Sequence, residues 1–495
     1  MKYSMPESKG IKSEWIYNYV KLLEDRRLAT HDLIILKDGD IIYEAYWKPF
    51  NKESLHRQYS VSKSFVGIAI GFLEQDGLIS LDDTVLKLFP EYLENCTDDN
   101  LRNMTVRNML MMATAKPPQG WFEARTEDRV KFYFSNTNPE SYPAGKLFWY
   151  DSTGSFVLGA LVERITGKPL IEYLREKLFD KIGVSDTAYC LKCPGGHSWG
   201  DSAVLCTARD LALVAQFMLN GGEWKGEQIL NRDYVTAATS KQIDNCTYGD
   251  NEFESQGYGY QIWRTLDNSF FFNGMGCQLA ICVPDKNIVL VYNGNNLSYA
   301  HAKGLIIENF FDIIVRPAVD SALPENKESQ RKLADYTKKL SLYAIKGESH
   351  SAVCDTVNNK TYKLDKNPMG ISKIRFKFTD DGGVMYYTNE QGDKEIPFGW
   401  QRNEFSLFPE RGYSDEVGSV SSDILFKCAT SAAWTKPDSL HIKVQIIDKY
   451  LGVLDMKFGF ADDKIAVQMF KVAEDCLHKY QGFAGGQAIN KGLQL

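Results

Sequence analysis

The sequence predicts an α+β fold, helices packed on an antiparallel sheet, followed by a separate all-β domain. Three observations carry this reading. Apolar residues recur at helical spacing in several blocks of the first 317 residues, an Asp38-Gly39 pair sits between two β-rich runs, and from about Ser349 the pattern changes to alternation. At 495 residues the chain is too long for one ordinary domain. We read residues 1–317 as the α+β portion, 318–348 as a polar linker with a short helix, and 349–495 as a β-rich accessory domain, a barrel or a sandwich.

The first helix is predicted in "SEWIYNYVKLLEDRR", where Trp15, Ile16, Tyr19, Val20 and Leu23 share a face and Ser13 stands at the N-cap. "DLIILKDGDIIYEAYW" then reads as a hairpin, because Asp-Gly tolerates the positive φ that a two-residue turn demands. After Ser60, the residues Phe65, Ile68, Ala69, Phe72 and Leu73 mark a second helix, ended by Gly77 in a left-handed cap. "YPAGKLFWYDSTGSFVLGALVERITGKPL" predicts a Pro-x-Gly turn and a further helix ended by Thr166-Gly167. "AHAKGLIIENFFDIIVRPAV" closes the α+β portion as a helix, and "DSALPENKESQRKLADYTKK" is polar. "KIRFKF", "HIKVQII", "LDMKFGF" and "KIAVQMF" are the alternating strands beyond it.

Composition narrows the function classes. The chain is 44% hydrophobic and 24% charged with a net charge of −7, which fits a globular protein and gives no basic stripe for nucleic acid. No run approaches the roughly 18 apolar residues of a membrane span, and the N-terminal stretch lacks a secretory apolar run, so a cytoplasmic location is expected. Ten cysteines are scattered along the chain. Cys190 and Cys193 form a lone CxxC with no second pair at ligand spacing, and no metal or other cofactor is expected. GxSxG, HExxH and Walker patterns are absent. Composition leaves the oligomeric state open.

Ser60 and Lys63 lie three residues apart where the second helix begins, so hydroxyl and amine share a face beside the free N–H groups of a helix end. Serine needs a base, and a lysine with an ordinary pKa near 10.4 serves only if it is desolvated. The bland alternative is a polar helix entry, and Ser329 with Lys332 repeats the spacing in a charged stretch. Tyr150, after the Pro-x-Gly turn, is suited to relay a proton. It is equally suited to donate one structural hydrogen bond, and Tyr133 with Ser135 repeats the short pattern.

Taken together, "SVSKSF", "ISLDDTVLKLFPE", "MTVRNMLMMAT", "PAGKLFWYDSTGSFVLGALVERITG", "TARDLA" and "FNGMGCQLAICVPDKNIVLVY" resemble the penicillin-recognising serine hydrolases, in the branch of class C β-lactamases, carboxylesterases and nylon-oligomer hydrolases. The resemblance covers roughly residues 15 to 317. It implies a β-lactamase-like antiparallel sheet flanked by helices. It also implies Ser60 as the acyl-accepting nucleophile, Lys63 as its activator and Tyr150 as the proton relay, with Ser152 where β-lactamases usually carry asparagine. The amides of Ser60 and Met275 would form the oxyanion hole, and Ser152, Asn273 and Gly274 would contact substrate.

One departure stands out. Where the family's third box carries a basic residue, this chain reads Phe272-Asn273-Gly274. Loss of that cation removes a charge-assisted contact to a substrate carboxylate, so the expected substrate is a small, uncharged ester or amide. Two alternatives remain: a penicillin-interactive enzyme, and a binding protein of the same fold whose site has decayed. Trp121 and Phe122 are candidates for the pocket wall by position, and the accessory domain carries no catalytic motif.

Overall fold

A computed structural model gives the fold, and the residues described are 1–115, 120–121, 126–135, 140–248, 251–410, 425–473 and 480–489. The chain divides into two compact units, one built from Met1–Asn296 and Ala300–Ser341, the other from Leu297–Tyr299 and most of the chain from Leu342 onward.

The first unit is organised by its sheet. Strands β1 (Thr30–Lys37), β2 (Asp40–Tyr46), β3 (Trp263–Thr265), β4 (Ser269–Gly274), β5 (Gln278–Val283) and β6 (Ile288–Gly294) lie in the order β2-β1-β6-β5-β4-β3. Every pairing is antiparallel. Asp38 and Gly39 both have positive φ, 53° and 76°. They join β1 to β2 as the two-residue turn that their small or absent side chains allow.

Strand periodicity divides the core in two. Ile34, Leu36, Phe270, Phe272, Ala280 and Val291 face one side, where they pack with Phe65, Ile68 and Phe72 of α2 (Ser62–Gln75). Leu33, Ile35, Phe271, Leu279, Ile281 and Leu290 face the other, against Ile16, Tyr19 and Val20 of α1 (Ser13–Asp25). A sheet covered on both faces reads as continuous apolar runs, which "FFF" and "IVLVY" are. On the first face lie also α3 (Ser152–Thr166), ended by Gly167 at φ 68°, and α4 (Ala208–Leu219). On the second lies α5 (Ala302–Phe310), which buries Ile306, Ile307 and Phe310. Helix α6 (Lys327–Thr337), N-capped by Asn326, packs on α1, and it carries Ser329 and Lys332, the latter 4.1 Å from the centre of the Tyr17 ring.

In the second unit ten strands form one sheet that closes on itself. Closure comes from a parallel contact between the strands Gly392–Trp400 and Lys427–Lys436, pairing Gly399 with Ser431 and Trp400 with Ala432. The all-β unit is therefore a barrel and leaves few free edges. Alternate residues fill it with aromatics: Phe376 lies 4.9 Å from Phe458 and 5.8 Å from Phe460, and Trp434 lies 5.8 Å from Phe460, centre to centre. Among the described residues no helix is long and apolar enough to cross a membrane.

Candidate active site

Ser60 sits in the single helical turn Tyr59–Val61 that leads into α2. Tyr59 has φ 46° although it is bulky, a conformation that side chains of this size rarely adopt and that the surroundings must hold. They do so from several directions. Gln58 N–H donates to Val204 O at 2.8 Å, Val204 N–H donates to Ser62 Oγ at 3.0 Å, and Ser64 Oγ donates to Gln261 O at 2.8 Å. The Arg57 guanidinium lies 4.5 Å from the Tyr59 ring and 4.4 Å from the Trp199 ring.

Lys63, in the first turn of α2, is 1% exposed. Its Nζ lies 3.0 Å from Ser60 Oγ and 2.8 Å from the Asp201 carbonyl. Burial pulls its ammonium from 10.5 down to about 8, and the charges of Asp201 and Asp151 only partly oppose this. Desolvation outweighs the two carboxylates. A neutral amine that donates to the Asp201 carbonyl keeps its lone pair for the proton of Ser60.

Tyr150 belongs to the same group. Lys63 Nζ lies 5.1 Å from the centre of its ring, and the ring is flanked by Trp263 at 5.5 Å and Tyr248 at 5.9 Å. Burial raises its phenol well above the ordinary value of 10, while a hydrogen bond to Ser60 and the charge of Lys303 work the other way. At neutral pH the group is a phenol, suited to giving a proton rather than taking one.

The turn is backed by β4. A methyl group on Gly274 would fall 2.4 Å from Gln58 O, so only glycine lets the strand lie this close to the residues before Ser60. Met275 follows at 40% exposure, and the Gln278 side chain donates to its carbonyl at 3.0 Å. Asn273, 8% exposed, donates from Nδ2 to Glu254 Oε1 at 2.7 Å. The same carboxylate takes an ion pair from Lys303. Phe272 is fully buried in the core between sheet and α2, so the third-box position serves packing. Ser152 opens α3 half-buried, and among the described residues no hydrogen bond joins it to Ser60 or Lys63.

Several residues of the site carry weak or no signal in the sequence. Asp151 is 1% exposed and N-caps α3 by accepting from Gly154 N–H at 2.9 Å. Tyr133, half of the recurring short pattern, donates to its other oxygen at 3.2 Å. "DSTG" at a helix start is a capping signal that would have found Asp151. Lys303 lies in the first turn of α5, where the helix dipole disfavours a cation, and that misfit was its signal. The Asp201 carbonyl and Glu254 had none. Trp121 is 3% exposed and packs on Phe156 at 5.4 Å and the Arg129 guanidinium at 4.2 Å, so its ring serves the core. Phe122 lies outside the described residues.

Comparison with known proteins gives the family. The family described as Beta-lactamase matches residues 18–305. The 6-aminohexanoate-dimer hydrolase of Paenarthrobacter ureafaciens is 26% identical over 265 residues, 50% of this chain and 67% of its own length. Esterase EstB of Burkholderia gladioli is 25% identical over 194 residues, 34% of this chain and 48% of its own. A solved structure titled "Putative 6-aminohexanoate-dimer hydrolase from Bacillus anthracis" superposes with a TM-score of 0.52 at 21% identity, covering 59% of this chain and 80% of that one.

Proposed function

Because the chain belongs to the beta-lactamase family, we propose that it is a hydrolase of that family working through an acyl-enzyme on Ser60, with a small ester or amide as substrate. The observation that carries this reading is the fully buried Lys63 amine 3.0 Å from Ser60 Oγ. Lys63 takes the serine proton and Ser60 Oγ attacks the carbonyl carbon. The amides of Ser60 and Met275 face the resulting oxyanion, and the Tyr150 phenol gives its proton to the leaving group. Water then releases the acid. Asn273, Gly274 and Ser152 contact the substrate, and the activity belongs to residues 1–317. The nine described cysteines are all free thiols, which supports a reducing, cytoplasmic setting.

A penicillin-interactive activity is the second reading, favoured by the family itself. Against it stands Phe272, which leaves the third box without its cation, and Lys303 is already paired to Glu254. The test is intact-mass spectrometry of wild type and Ser60→Ala after exposure to a fluorophosphonate, a short-chain nitrophenyl ester or a penicillin. Labelling by the first two that is lost with Ser60, with ester turnover, is the expected result. A penicillin adduct moves the assignment to the second reading, and no adduct on folded protein refutes both.

A further inference from the structure

Asn273 has one half of its amide satisfied and the other half not. A carboxylate only accepts hydrogen bonds. The 2.7 Å contact with Glu254 therefore fixes which end of the amide is nitrogen, and Lys303 is paired to the same carboxylate oxygen, Glu254 Oε1. The remaining atom, Asn273 Oδ1, is buried and has no hydrogen-bond partner among the described residues. A buried acceptor held in one orientation without a donor is costly, and a fold that keeps one invites a ligand that supplies the donor.

Its place in the site says which part of a substrate that is. Asn273 directly precedes Gly274, the residue pressed against Gln58 O beside the nucleophile turn. The charges of Glu254 and Lys303 are both felt at the Tyr150 phenol, the group assigned to the leaving atom. The unpaired acceptor thus belongs to the polar group around the Tyr150 phenol.

We propose that Asn273 Oδ1 accepts the N–H of the scissile bond, which makes secondary amides the substrate class of this site, with Glu254 and Lys303 as positioning residues. The inference rests on Ser60 being the nucleophile. In the acylation step the Ser60 Oγ–carbonyl carbon bond forms and the carbon–nitrogen bond breaks. The serine proton passes through Lys63 to Tyr150 as the phenol proton goes to the nitrogen. The departing amine keeps its own N–H on Asn273, and that hydrogen bond strengthens as positive charge develops on nitrogen. An ester oxygen offers no such donor.

The experiment compares a short-chain 4-nitroanilide, its N-methyl counterpart and the 4-nitrophenyl ester of the same acid, on wild type, Asn273→Leu and Glu254→Gln, with fluorophosphonate labelling of Ser60 followed in each. In wild type, kcat/KM for the N–H anilide should exceed that for the N-methyl anilide by at least about tenfold, since a site built for a donor rejects the analogue lacking it. Asn273→Leu should lower that ratio by about tenfold or more. Glu254→Gln should lower it less, because a glutamine lets the Asn273 amide turn over, and this variant decides the matter if Asn273→Leu fails to fold. A ratio equal within about twofold in wild type and variants, or ester turnover with no anilide turnover, overturns the proposal while leaving the serine reading intact. Wild type that does not label at Ser60 overturns the underlying reading instead.

Discussion

The Lys63 ammonium is the most exacting quantity in the site. With its pKa near 8, about one amine in ten is unprotonated at pH 7, against roughly one in three thousand for a lysine at 10.5. Burial thereby raises the concentration of the base about 300-fold. Below pH 8, kcat/KM for an ester should fall about tenfold per pH unit, and it should level off above. The same displacement has a stability counterpart. The unfolded chain still holds this proton between about 8 and 10.5 where the folded chain has released it, so the free energy of unfolding rises with pH across that window and is lowest below it. Replacement by a neutral side chain, Lys63→Met, relieves about 3 kcal/mol at pH 7. It gives back about 1 kcal/mol by leaving the Asp201 carbonyl unpaired. The variant should therefore be inactive yet about 2 kcal/mol more stable at pH 7, with the advantage shrinking as pH approaches 10.5. Urea unfolding at pH 7 and 10 and the pH profile of ester hydrolysis measure both. A stability gap that does not change with pH, or an activity limb outside roughly pH 7 to 9, refutes the assignment of Lys63 as a desolvated base.

Three further outcomes are expected. Tyr150→Phe should slow turnover by about 10²–10⁴ with little change in stability, because the ring keeps its neighbours Trp263 and Tyr248. In wild type no basic limb should appear below pH 10, since burial lifts the phenol. Gly274→Ala places a methyl 2.4 Å from Gln58 O and should reduce the rate of Ser60 labelling by about a hundredfold. Gly459→Ala in the barrel meets only ordinary contact at 3.9 Å and should leave that rate alone. Asp151→Ala strips the cap of α3 and the acceptor for Tyr133 and should destabilise by about 2–3 kcal/mol in urea unfolding. Asp151→Asn, which retains an acceptor, should recover more than half of the loss.

Local signals made much of this legible from the sequence. The Asp38-Gly39 hairpin, the apolar stripe of α2 with Ser60 and Lys63 at its head, and the alternation of the barrel strands each reside in a dozen consecutive residues, where backbone preference and periodicity act directly. The polar group around Asn273 does not. Glu254 and Lys303 stand 19 residues before it and 30 after it in the chain, and only the packing of the turn Glu252–Glu254 against α5 and β3 brings the three together. Tyr133 shows the same limit from the other side. In sequence it only repeats a short pattern, and in the fold it is a buried partner of Asp151 because α3 is packed over it. Position before Tyr150 in the chain suggests a pocket wall for Trp121, whereas its ring packs in the core.

The burial of Phe272 also bears on how such a protein diversifies. A lysine at that position would put an ammonium in the buried apolar layer where Phe272 lies beside Ala280, at a penalty of several kcal/mol, before it could meet any ligand. Penicillin-type recognition is therefore not one exchange away. Restoring a basic residue there would first require rebuilding the layer between sheet and helix, so a change of specificity is easier at Asn273, Glu254 and Lys303, whose polar contacts are with one another.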